Sequence, residues 1–297
     1  MTGRERGFLL LSSHLGDPGR KPLTGPQIRV LGRRVSQAAA PTEDRDLEIR
    51  DLISLGYGMD MAKRIMNLLE DEDLLDAYLA AGARHGCAPI VRGSEEYPLI
   101  LRKRLGEESP GALWAKGDTC LLSEPTVSLV GSRELAEDNR IFAREIGRQA
   151  ALQGYTLVSG NARGADRAAQ ESCLENGGKV ISVVADELWK QPLRDNVLWL
   201  SEDGFAEEFS SQRALSRNRV IHALGLKTFV AQATAGMGGT WDGTVKNLRF
   251  GWSGVFCYED GSEAMAQLSR MGAQLIGLQE LGSIYDLQNS EINIFDR

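Results

Sequence analysis

Three short stretches of this sequence combine glycine with hydroxyl or guanidinium side chains in the way anion binding requires. They are Gly131-Ser132-Arg133, Ser159-Gly160-Asn161-Ala162-Arg163-Gly164-Ala165-Asp166, and Gly236-Met237-Gly238-Gly239-Thr240-Trp241. Glycine lets a backbone N–H approach a ligand closely, and the planar fork of Arg133 or Arg163 matches two oxygens of one phosphate. A glycine loop that opens a helix adds unpaired N–H groups and the positive end of the helix dipole. The first strand-like run is not followed by GxGxxG, and GxxxxGK[ST] is missing, so neither a dinucleotide fingerprint nor a P-loop is expected. The three loops together read as a phosphate cradle.

The segment Ser216-Arg217-Asn218-Arg219 adds two more guanidiniums. Two residues apart on a helix they point about 200° from one another, so only one can face a given pocket. Arg217 is assigned to the ligand. Arg219 is assigned to a carboxylate, with Glu202, Asp203 or Asp166 as its partner. Asp166, just inside a helix, is read as a cap for backbone N–H groups or a tie for Arg163. No Ser-His-Asp arrangement and no carboxylate pair falls near these loops, and His14, His85 and His222 are scattered, so no catalytic residue, metal or cofactor is expected. Cys87, Cys120, Cys173 and Cys257 show no CxxC spacing and are expected to be buried thiols.

Something must hold those loops side by side. The runs TVSLV, TLVSG, KVISVVA, VLWLS, KTFVAQA and SGVFCY alternate with amphipathic stretches of helical length. Phe142, Ile146 and Ala150 form one helix face, and Ala165, Ala168, Ala169 and Cys173 another. A repeated βα pattern predicts an α/β fold, a Rossmann-like doubly wound and mostly parallel sheet over residues 123–280. In such sheets ligands bind where strands end, and all three glycine loops leave strand ends. Eight of nine prolines lie at or before Pro125, which suggests a domain boundary near 123–126.

Upstream, residues 1–45 read as a helix and loop of unassigned role, 46–90 as a smaller helical domain, and 91–122 as a connecting segment; 281–297 read as a tail. In the helical domain, LGYGMDMAKRI at 55–65 resembles a helix-hairpin-helix motif, whose turn approaches phosphate, although Gly56 and Gly58 serve equally to pack two helices closely. The chain carries 34 Lys and Arg against 41 Asp and Glu, a net charge of −7, which argues against a protein coated in positive charge. Arg213, Arg217, Arg219 and Lys227 nevertheless fall in a run, 210–230, without an acidic residue. No apolar run approaches the roughly 18–20 residues of a membrane span, and a cytoplasmic location is expected.

VGSR at 130–133, SGNARGAD at 159–166, a strand ending in Ser201 and Glu202, SRNRVIHAL at 216–224 and GGTW at 238–241 follow one another in an order and spacing similar to those of the DprA (Smf) family of DNA-processing proteins. EEYPLILRKRLGEESPGALWAKGD at 95–118 resembles that family's stretch ahead of its Rossmann domain. The resemblance implies a homodimeric protein of transformation and recombination that binds single-stranded DNA and loads a RecA-type recombinase. Carried over, it implies that Gly131, Ser132, Arg133, Ser159, Gly160, Asn161, Arg163, Gly164, Arg217, Arg219, Gly238, Gly239 and Thr240 contact phosphate or shape its pocket. The chain departs from the family in the segment Phe209–Gln212, where many members are Lys-rich with Phe-Pro, and in GGTWDGTVKNLR, and the winged helix that many members carry after the sheet is not expected in the residues that follow it here. GGTW is also similar to the phosphate loop of LOG-type nucleotide phosphoribohydrolases, so a nucleotide sensor or a nucleoside-monophosphate hydrolase is the alternative. That family's catalytic Glu has no counterpart here; Asp242 is the acid available.

Overall fold

A computed structural model describes residues 1–38 and 47–288; residues 39–46 and 289–297, which include most of the polar stretch before Leu47 and half of the expected tail, lie outside the described residues. The six expected strand runs form β3 (Thr126–Val130), β4 (Thr156–Ser159), β5 (Lys179–Val183), β6 (Val197–Ser201), β7 (Lys227–Val230) and β8 (Gly254–Tyr258). Three further strands join them: β1 (Cys87–Val91), β2 (Ala112–Lys116) and β9 (Gln274–Ile276). The nine lie in the order β1-β2-β6-β5-β4-β3-β7-β8-β9, parallel from β6 to β9, with β2 antiparallel to β6 and β1 antiparallel to β2.

The sheet therefore begins at Cys87, upstream of the change in proline content. The strand β1 escapes sequence reading because Pro89 breaks its pattern; a proline is tolerated there because β1 lies at the sheet edge. Residues 91–122 supply β2, which lies between β1 and β6, and the helix α6 (Leu99–Leu105) as well as a connection.

Side chains alternate along each central strand. Leu157, Val180, Phe229 and Phe256 point to one face, while Val158, Ile181, Val230 and Cys257 point to the other. The first face is covered by α7 (Glu137–Leu152) and α8 (Ala165–Glu175), through Phe142, Ile146, Ala169 and Cys173. On the second face lie α6, α9 (Ser211–Leu224), α10 (Gly238–Phe250) and α11 (Glu263–Arg270). Both faces are dry, which is why these strands read as continuous aliphatic runs.

The N-terminal region contributes α1 (Gly3–Ser12), α2 (Gly25–Gln37), α3 (Ile49–Ser54), α4 (Met59–Glu70) and α5 (Glu72–Arg84). Leu9, Leu10 and Leu75 join the first face of the sheet, and Leu31, Leu52, Ile65 and Leu68 form a separate small core. The α3–α4 turn carries Gly56 at φ +85°, and Arg34 from α2 lies 4.3 Å over the ring of Tyr57 in that turn. Arg64, one of two cations near the turn, is spent on the carbonyls of Lys21 and Pro22.

The chain places β3, β4, β5 and β6 successively outward, then returns through α9 to lay β7 on the other side of β3. The strand order reverses at the β3–β7 pair, so the loops leaving these two strands part and open a crevice between them.

Candidate phosphate-binding site

A hollow of about 380 Å³ lies at that reversal, lined by the ends of β3 and β7 and by the first turns of α9 and α10. Gly131, Ser132, Arg133, Asp166, Arg217, Gly238, Gly239 and Thr240 all line it. Ser159, Gly160, Asn161, Arg163, Gly164, Arg219 and Glu202 are outside the lining.

The loops are locked to one another by main-chain contacts that only glycine permits. A Cβ on Gly131 would stand 2.4 Å from that of Ala165, and one on Gly164, whose φ is +81°, would stand 2.4 Å from the Ser132 carbonyl. The Ala165 N–H donates to the Ser132 carbonyl at 3.1 Å, and the Ser132 N–H donates to the Gln232 carbonyl at 3.0 Å. Thr240 Oγ1 donates to the Gly131 carbonyl (2.9 Å), and Asn218 Nδ2 to the Gly239 carbonyl (3.1 Å). Gln232 also accepts the Ala136 N–H through its side chain. Asn218 and Gln232 were missed by sequence reading; Gln232, a polar residue just beyond a strand's carboxyl end, carried a usable signal.

Asp166 is buried and its Oδ2 accepts the N–H groups of Gly160 and Ala162, each at 3.1 Å. It caps its own loop, and Arg163 is not its partner. Arg217 lies against the same loop: Nη2 donates to the Gly160 carbonyl at 3.0 Å, and a Cβ on Gly160 would fall 1.6 Å from Nη1. Gly160 is a glycine because a guanidinium occupies the space a side chain would need. Burial raises the Asp166 carboxyl above its ordinary pKa and lowers that of Arg217, while the charge of each opposes the other's displacement. Arg217 is only 8% exposed, its Nε has no acceptor, and Nη1 makes no hydrogen bond among the described residues.

Arg133 and Arg163 are exposed and have neither hydrogen bond nor ion pair among the described residues. Arg133 lines the crevice, and its charge reaches both Asp166 and Arg217. Ser159 differs from a ligand contact: its hydroxyl is buried and accepts from Gln170 Nε2, so Ser159 shapes the loop from beneath. Asn161 sits in the left-handed region at φ +58°.

On another side of α9, Arg219 Nη1 meets Glu202 Oε2 at 3.0 Å and donates to Ser216, while its Nε donates to the Glu108 carbonyl. Burial raises the Glu202 carboxyl, with Arg219 opposing the shift, and Glu202 Oε1 has no partner. The basic run 210–230 forms no patch. Arg213 is held by Asp203 (2.8 Å) and by the carbonyls of Ala185 and Glu208, and Lys227 by those of Ile284 and Tyr285.

A larger hollow of about 1000 Å³ separates the N-terminal helices from α9 and α10. Most of its charges are already matched: Arg29 with Glu107 (3.2 Å), Arg213 with Asp203, Arg219 with Glu202, and Lys246 with Asp242 (2.8 Å). Arg249, exposed over the Phe250 ring, is the guanidinium there without a hydrogen bond or ion pair among the described residues, whereas the smaller crevice brings two guanidiniums with unspent nitrogens, Arg133 and Arg217, to one lining. Among the described residues no group of three or more His, Cys, Asp or Glu could hold a metal ion, and no helix is long and apolar enough to cross a membrane. Cys87, Cys173 and Cys257 are buried, with the last two thiols pushed up to about 11 and about 12; Cys120 is exposed, contrary to expectation.

The chain is 31% identical over 140 residues to DNA processing protein DprA of Streptococcus pneumoniae, an alignment covering 42% of this chain and 48% of that protein. It is 27% identical over 169 residues to its Bacillus subtilis counterpart, covering 53% and 56%. The chain thus spans about half the length of the curated relatives it matches. The crystal structure of the Streptococcus pneumoniae protein superposes with a TM-score of 0.71 at 25% identity, covering 95% of this chain and 97% of that one. A Helicobacter pylori DNA processing protein A, described for its single-stranded DNA binding mode, shares the fold at a TM-score of 0.55 and 23% identity, covering 65% and 93%. Residues 88–275, more than half of the chain, match the model of the family described as DNA recombination-mediator protein A, and the chain belongs to that family of DNA-processing proteins.

Proposed function

We propose that this protein binds single-stranded DNA at the β3–β7 crevice, as a non-catalytic homodimer that delivers the strand to a RecA-type recombinase in transformation or recombination. The observation that carries the binding step is the pair of arginines there: Arg133 free at the rim, and Arg217 beneath it with two nitrogens unspent. Arg163, exposed on the neighbouring loop, takes a further phosphate along the strand. A narrow opening at strand ends follows one flexible backbone and presents no element shaped for a major groove. The Helicobacter pylori relative, described as binding single strands, supports the same ligand. The reading as a nucleotide hydrolase loses its acid, because Asp242 faces the larger hollow and is paired with Lys246.

Fluorescence anisotropy with a labelled oligothymidylate, a blunt duplex and thymidine monophosphate tests this. Single strands should bind ahead of duplex, with a slope of log K against log salt of about −1.5 to −3 for two to four phosphates. Arg133→Ala and Arg163→Ala should each weaken binding and leave the melting temperature nearly unchanged, since neither side chain has a partner to lose. A salt-independent affinity, or unfolding of both variants, would reject the assignment. Light scattering should give twice 32.5 kDa, and a recombinase filament assay on coated single strands reads the delivery step.

A further inference from the structure

The crevice has a floor as well as a rim, and the floor holds donors that the rim arginines do not supply. The helix α10 opens at Gly238 with no side chain capping it, so the N–H groups of its first turn are left without side-chain acceptors. Gly238, at φ +86°, and Gly239 bring that turn bare of side chains to the lining. Arg217 lies in the same lining, with Nη1 and Nε unspent and its residue more than nine-tenths buried. A buried guanidinium that gives only Nη2 to an acceptor, the Gly160 carbonyl, and an uncapped helix N-terminus are two independent features, and the donors left over on both suit an anion. Asp166, the one carboxylate in the lining, has its Oδ2 spent on two backbone N–H groups.

The number of ester arms decides which phosphate can turn most charge to this floor. An internal phosphodiester enters with chain on both sides and bears a single charge. A terminal phosphate monoester has one ester arm, can point its three free oxygens inward, and carries close to two charges at pH 7, with a second pKa of about 6. A hollow of about 380 Å³ has room for a phosphate and its nearest sugar, and an end can turn all its free oxygens to the floor where a through-strand cannot. Resting on the reading of this crevice as the single-strand site, we infer that Arg217 and the first turn of α10 form a seat for a terminal phosphate monoester. The end of a strand occupies the floor while Arg133 and Arg163 hold the phosphates that follow.

The test uses the full chain and hexathymidylate labelled at the end opposite the one varied. One pair carries a 5′-phosphate or a 5′-hydroxyl, a second pair a 3′-phosphate or a 3′-hydroxyl, and thymidine monophosphate is compared with thymidine as a competitor. At pH 8 one phosphorylated end should bind about tenfold tighter than its hydroxyl twin. That ratio should shrink to about twofold at pH 5, where the monoester loses its second charge and the internal diesters do not. Met237→Asp, which sets a capping carboxylate at the exposed and extended N-cap of α10, should abolish the preference. Preference for thymidine monophosphate without any for a phosphorylated strand would assign the same seat to free nucleotides and overturn the strand end. Equal binding of phosphate and hydroxyl ends, or a preference independent of pH, overturns the seat and leaves single-strand binding standing. Failure of every oligonucleotide to bind refutes the underlying reading instead.

Discussion

Replacing Gly160 with alanine is a one-carbon change whose effect can be worked out from the crevice. The new Cβ would lie 1.6 Å from Arg217 Nη1 and 2.2 Å from both its Cζ and Nη2, while real Cβ atoms essentially never approach within 3.0 Å. The backbone of Gly160 is held by its N–H bond to Asp166 and its carbonyl bond from Arg217, so the guanidinium must yield. Displacing it breaks a charge-assisted hydrogen bond, at a cost of about 1.5–3 kcal/mol. If Arg217 swings out to solvent, Asp166 stays buried without its countercharge, and removing one member of a buried pair costs about 3–5 kcal/mol in all. At roughly 2–4 °C per kcal/mol for a domain of this size, the melting temperature should fall by about 6–20 °C. Differential scanning fluorimetry reads this directly. Gly93→Ala is the control, since that glycine is exposed and an added Cβ meets nothing; it should stay within about 0.5 kcal/mol of the parent. Oligothymidylate affinity of the Gly160→Ala protein should drop about tenfold, because the donor beneath the crevice is lost. A variant that melts within 1 °C of the parent, or binds as well, would show that Arg217 is not clamped over Gly160, and the account of the crevice floor would fail.

Arg219→Ala should destabilise the chain by about 3 kcal/mol in urea denaturation, because it strands the buried carboxylate of Glu202. Adding Glu202→Gln should recover much of that loss, and a double-mutant cycle with no coupling would remove Arg219 from its role as a strut. His222 is fully buried and burial lowers its pKa from 6.5 to about 3, so the folded state excludes a proton that the unfolded chain accepts. Stability is therefore full above about pH 6.5 and falls as pH drops toward 3, by about 1.4 kcal/mol per pH unit from this one group. His222→Leu should flatten the dependence between pH 4 and 6 by about that amount, and identical slopes in the two proteins would refute it.

The sequence by itself determined the repeating unit and where its chemistry falls. Short aliphatic runs rich in β-branched residues, such as TVSLV and KVISV, read as strands buried on both faces, and helices between them follow from the spacing of residues such as Phe142, Ile146 and Ala150. Glycine loops at strand ends were equally legible, because the backbone freedom they supply is local. The antiparallel strands β1 and β2 were not, since their partners are set by an antiparallel return that leaves no period in a short stretch containing Pro89 and Pro110. Tertiary structure also decided the fate of each charge. A run of four cations without an acid in sequence becomes three spent side chains and one buried guanidinium once Asp203, Glu202 and the carbonyls of Ile284 and Tyr285 fold against it. Ser159 and Arg133 look alike as members of glycine loops, yet one hydroxyl is consumed in the core and one guanidinium stays free. Spacing records which residues share an element; whether a polar group is spent depends on partners tens of residues away, and only the folded chain brings those within reach.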